Sequence, residues 1–63
     1  MKKDEFLEAT IKLGLNTPKT ADLIGVAYTT VKNWRSNSGP NPPIWAEKIL
    51  RYEFKERGLE WPF

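Results

Sequence analysis

With 63 residues and a formal net charge of +2, the chain has room for one domain, near the lower limit at which enough apolar surface is buried to fold alone. It contains neither cysteine nor histidine, which excludes disulfides and thiolate metal sites and removes the commonest general base, so packing must supply the stability. No apolar run approaches the roughly 18 residues of a membrane span, and Lys2 and Lys3 are followed by acids rather than an apolar signal core. These features lead us to expect a soluble cytoplasmic protein, one domain over residues 1–63, without metal or cofactor.

The charge is unevenly spread. Between residues 9 and 52 lie Lys12, Lys19, Lys32, Arg35, Lys48 and Arg51, against only Asp22 and Glu47. The other acids, Asp4, Glu5, Glu8, Glu53, Glu56 and Glu60, sit towards the two ends. A basic middle suits a polyanionic partner, although an ordinary solvated surface looks the same by charge alone.

In chain order, Phe6, Leu7, Ile11 and Leu13 recur at helical spacing over Asp4 to Leu13, and Gly14 supplies a stop. The stretch "LNTPK" predicts a second helix with Thr17 as N-cap and Pro18 at the first helical position, where a missing N–H costs nothing. That helix runs to about Ile24, and Gly25 predicts a tight turn through φ > 0. A third helix, about Tyr28 to Ser36, places Val31 and Trp34 on one face. Threonine and asparagine are mediocre helix formers, so packing of these two residues must hold it.

The loop "NSGPNPP" follows, and Asn41 with Pro42 or Pro43 predicts a fourth helix to about Arg57, with Gly58 after it. At about 100° per residue, Tyr52, Trp45, Ile49, Ala46 and Leu50 form one stripe with Phe54 at its edge. Glu53 falls near the middle of that stripe, where an unpaired carboxylate should not be buried. Neither repeats nor strand-like alternation occur, so the expected class is all-α, with a short aromatic C-terminal tail.

Two short helices joined by a glycine turn, the second rich in hydrogen-bonding side chains, are the physical recipe for a groove-reading unit. Residues 17–36, "TPKTADLIGVAYTTVKNWRS", resemble the helix-turn-helix of Cro/repressor-type regulators of phages and bacteria. The likeness rests on Ala21 at the helix crossing, Ile24 before Gly25, Val26 after it, Val31 and Trp34. The flanking helices extend it loosely to about residue 54. Ala27 stands where the family often has a capping serine or threonine, Thr17 where it often has a phosphate-contacting glutamine, and the usual fifth helix is reduced to "LEWPF".

The resemblance implies a four-helix domain of the lambda-repressor-like type that binds an operator in double-stranded DNA as a homodimer, most simply as a repressor. On the third helix Asn33 can bond adenine through two contacts, Lys32 can reach guanine, and the Thr29 methyl can meet a thymine methyl. Tyr28 completes the base-reading set. Thr17, Lys19, Thr30, Arg35 and Ser36 are assigned to the DNA backbone, which positions without reading sequence. Phe54, Trp61 and Phe63 are the expected dimer contacts, although the first expectation for Trp61 and Phe63 is that they fold back on their own core, with a second copy as the alternative.

A second hypothesis is a protein-interaction module of the same fold, antirepressor-like or antitoxin-like, with its basic face on an acidic partner. An enzyme is not expected: Asp4, Glu5 and Glu8 cluster where a helix dipole favours acids, and no nucleophile–base pair is evident.

Overall fold

The computed structural model describes residues 1–36 and 39–63. Asn37 and Ser38, within the expected loop, lie outside the described residues. Four helices follow one another: α1 (Lys3–Lys12), α2 (Thr17–Ile24), α3 (Tyr28–Arg35) and α4 (Ile44–Glu56). No strand occurs among the described residues.

The helix ends follow from local chemistry. The side chain of Glu5 accepts the Lys2 backbone N–H at 2.9 Å, satisfying a donor ahead of the first turn of α1. The cap of α2 differs from the sequence expectation: Asn16, not Thr17, is the N-cap, and its side-chain oxygen accepts the Lys19 N–H at 3.0 Å. Asparagine outranks threonine as a cap, and the one-residue shift releases the Thr17 hydroxyl for a distant partner. Gly25 ends α2 with φ 84°, and the Gly25 and Val26 N–H groups both donate to the Ala21 carbonyl. A side chain in that left-handed conformation would be strained, so the reversal between α2 and α3 depends on glycine.

The core combines residues from all four helices. Phe6 and Ala9 of α1, Ala21 and Ile24 of α2, Val31 and Trp34 of α3, and Ala46, Leu50 and Phe54 of α4 are buried together with Leu13. Each fully buried large apolar side chain contributes about 1.5–3 kcal/mol relative to exposure. Trp34 is the hub: its indole meets Phe6 of α1 edge-on at 5.7 Å and Trp45 of α4 edge-on at 5.7 Å. These contacts hold α3, whose own residues favour a helix weakly. The radius of gyration, 10.5 Å, is close to the roughly 10.6 Å expected of a compact chain of this length.

The orientation of α4 corrects the sequence projection. Ala46, Leu50 and Phe54 form its buried line, whereas Trp45 is 49 % and Tyr52 62 % exposed. This rotation buries Ala46 completely in the core. It also moves Glu53 to the flank, where its carboxylate pairs with Arg57 at 2.9 Å. Arg57 in turn donates from Nη1 to the Leu13 carbonyl at 2.6 Å, tying the end of α4 to the end of α1.

Phe54 was expected at a dimer contact, but it is 2 % exposed in the core of its own chain. The tail covers it. Gly58 turns the chain at φ 71°, and the Trp61 ring meets Phe54 edge-on at 5.1 Å. The Arg51 guanidinium lies 4.8 Å from the Trp61 ring centre, a cation–π arrangement. Phe63 packs on Trp61 at 5.8 Å and stays partly exposed.

At the other end of α4, Glu47 receives the Met1 ammonium at 3.0 Å and Arg51 at 2.9 Å. Hydrogen bonds from these two cations hold the Glu47 carboxyl below the usual carboxylate range.

Candidate nucleic-acid interface

The side of α3 away from Val31 and Trp34 carries Tyr28, Thr29, Lys32 and Asn33, all exposed. With Ser36 they span an arc of about 140° around the helix axis. The same two core residues that anchor α3 therefore decide which side chains face outward. Eight residues at about 1.5 Å each make a rod about 12 Å long, comparable to three or four base pairs at roughly 3.4 Å.

The expected backbone-contacting residues fall on three different footings. Lys19 is exposed on the first turn of α2. Thr30 is half-buried on the flank of α3 nearer Trp34. Thr17 and Arg35 are bonded to each other: Arg35 Nη1 donates to Thr17 Oγ1 at 2.7 Å. The Arg35 Nε is buried with no hydrogen-bond partner among the described residues. The guanidinium is thus held between the end of α3 and the start of α2, instead of extending freely into solvent.

Because that hydroxyl accepts from Arg35, its own proton remains available to another acceptor. Ser36 caps α3, and both its hydroxyl (3.1 Å) and its backbone N–H (3.4 Å) donate to the Asn33 carbonyl. Of the expected dimer contacts, Trp61 and Phe63 lie together in the tail that follows α4, Trp61 packed on Phe54 and Phe63 on Trp61.

The structure adds one residue that sequence inspection missed. Lys3 Nζ donates to the same Asn33 carbonyl at 2.6 Å, joining the first turn of α1 to the last turn of α3. A lysine at the start of a helix gives no local signal of such a partner; only the packing of α1 against α3 creates the pair.

Lys32, Lys19, Arg35 and Lys3 are the cations on or beside this surface. Among the described residues no group of three or more acidic side chains offers a metal site. No helix there is long and apolar enough to cross a membrane.

Comparison of the chain with family models, curated proteins and solved structures gives no match.

Proposed function

We propose that this protein is a sequence-specific double-stranded DNA-binding regulator, similar in type to the Cro-like repressors, with α2 and α3 acting as a helix-turn-helix and α3 as its reading helix. One observation carries the reading: the core anchors Val31 and Trp34 turn Tyr28, Thr29, Lys32 and Asn33 outward together on a rod of groove-crossing length. A major groove about 12 Å wide admits a helix, and its base edges offer the donors and acceptors that asparagine, lysine, threonine and tyrosine match. The contacts are binding contacts, and no catalytic role is assigned to any residue.

In this reading Asn33 and Lys32 read bases, with Thr29 and Tyr28 beside them. Lys19, Thr17, Arg35, Thr30 and Ser36 form the phosphate-facing rim. A reading helix this short covers few base pairs, so two copies on a two-fold operator supply the specificity that one lacks. The homodimer surface lies outside Phe54, since that ring is enclosed by Trp61.

Selection of bound duplexes from a random pool tests the proposal. Enrichment of a two-fold motif, bound with an affinity that falls steeply with salt, is the expected result. Absence of salt-dependent duplex binding would overturn it and favour a protein-interaction module built on the same fold.

A further inference from the structure

The C-terminal end of α3 has an electrostatic problem if α3 enters a groove. The last carbonyls of a helix carry partial negative charge, and a groove is walled by phosphates. Three donors converge on one of these carbonyls, that of Asn33: the Ser36 N–H, the Ser36 hydroxyl and Lys3 Nζ, the last at 2.6 Å. Only Lys3 brings a full positive charge.

The position is also kept open from the loop side. A Cβ added at Gly39 would lie 2.7 Å from the Asn33 oxygen and 3.1 Å from the Asn33 Cβ. Any side chain there would press on the carbonyl that Lys3 uses. The loop therefore passes close to the end of α3 without displacing the lysine.

We propose that Lys3, which lies outside the α2–α3 unit, is a phosphate-contacting residue of the interface, its ammonium bridging the Asn33 carbonyl and a phosphate oxygen at the rim of the groove. This rests on the DNA-binding reading above. An ammonium has three donors; one is committed to Asn33, and Lys3 is only half-buried, so the others can meet an anion. Asn33 is itself an exposed residue of the reading face. Fixing the lysine to its carbonyl sets a cation one residue's breadth from a base contact, in a place where a free lysine would cost side-chain entropy to hold. With Arg35 bonded to Thr17 at the α2 side, the reading helix is flanked by a held cation on either side.

The test compares wild type with Lys3→Met, Lys3→Gln and Lys3→Arg on a duplex of the selected sequence and on a scrambled duplex of equal length. Affinity is measured across salt concentration, and melting is measured in parallel. Loss of one phosphate contact makes the slope of log K against log salt shallower by about 0.9.

That change is expected for Lys3→Met and Lys3→Gln on both duplexes, with the order of base preference unchanged and the wild-type slope restored in Lys3→Arg. Gln keeps a donor for the Asn33 carbonyl, so it separates the charge from the cap. An unchanged slope in both neutral variants, whether or not their melting falls, overturns the inference and leaves Lys3 a cap on α3. A wild-type protein that binds neither duplex overturns the DNA-binding reading and this inference with it.

Discussion

Arg35 and Thr17 stand eighteen residues apart in the chain, yet the guanidinium Nη1 of the first donates to the hydroxyl of the second at 2.7 Å. The bond joins the last residue of α3 to the first residue of α2 and so braces the turn at Gly25 from the far side. Thr17→Val should remove the acceptor while keeping the shape, leaving a partly buried guanidinium whose Nε already has no partner among the described residues. A loss of about 1–3 kcal/mol is expected, read by urea unfolding. An Arg35→Met, Thr17→Val double mutant should then lose less than the sum of the single changes; strict additivity would mean that the bond carries no coupling.

Trp34 and Trp45 touch each other but differ in burial, 6 % against 49 % exposed. Trp34→Ala should cost about 3–5 kcal/mol, enough to unfold a domain this small. Trp45→Ala should cost less than half as much, because much of its ring is already in water. Thermal unfolding of the two variants checks the order, and a Trp45 variant as damaged as the Trp34 one would place the hub on the wrong indole.

Thr20 is fully buried, and its hydroxyl has no hydrogen-bond partner among the described residues. Thr20→Val keeps the volume and β-branching and removes the cost of desolvating the hydroxyl. Stabilisation by about 1 kcal/mol is expected, visible as a higher denaturant midpoint with an unchanged slope. A lower midpoint would show that the hydroxyl has a stabilising contact.

Acid should weaken the fold partly through Glu47. Its carboxyl is held below the ordinary value of 4.5 by hydrogen bonds from the Met1 ammonium and Arg51. The folded state therefore binds this proton less readily than the unfolded chain. The corresponding stability is fully present above pH 4.5 and is lost as pH falls through the lowered folded value. Denaturant titrations of wild type and Glu47→Gln from neutral pH downward should give a stability gap that closes below pH 4.5; a constant gap would assign the effect of the substitution to packing.

For the reading face, Asn33→Ala and Lys32→Ala should each cost about 1–3 kcal/mol on the selected duplex and relax base preference locally. Both side chains are exposed, so melting should remain within about 0.5 kcal/mol of wild type. Competition binding against single-base variants of the duplex supplies the measurement. Wild-type affinity and preference in both variants would remove these residues from the interface.

Much of the architecture was legible in the chain itself. Gly25 marks the turn because its φ of 84° suits a residue without Cβ, and the prolines before Ile44 mark the start of α4 because they cannot continue a preceding helix. Val31 and Trp34 are legible as core because a helix this polar has no other large apolar residues after Tyr28 with which to hold itself, and that choice sets the outward face of α3. These are local effects, decided within a few residues by backbone sterics and helical periodicity.

The tertiary structure decided what depends on residues far apart. In α4 aromatic and aliphatic side chains surround much of the cylinder, so periodicity offers more than one stripe; packing in the common core selects Ala46, Leu50 and Phe54. That rotation leaves Trp45 and Tyr52 outward and encloses Phe54 beneath Trp61. The bonds from Arg35 to Thr17, Lys3 to Asn33 and Arg57 to Leu13 span 18, 30 and 44 residues. Each uses a long cationic side chain that could reach many acceptors in an isolated segment, and only the relative placement of two helices leaves one carbonyl or hydroxyl within reach.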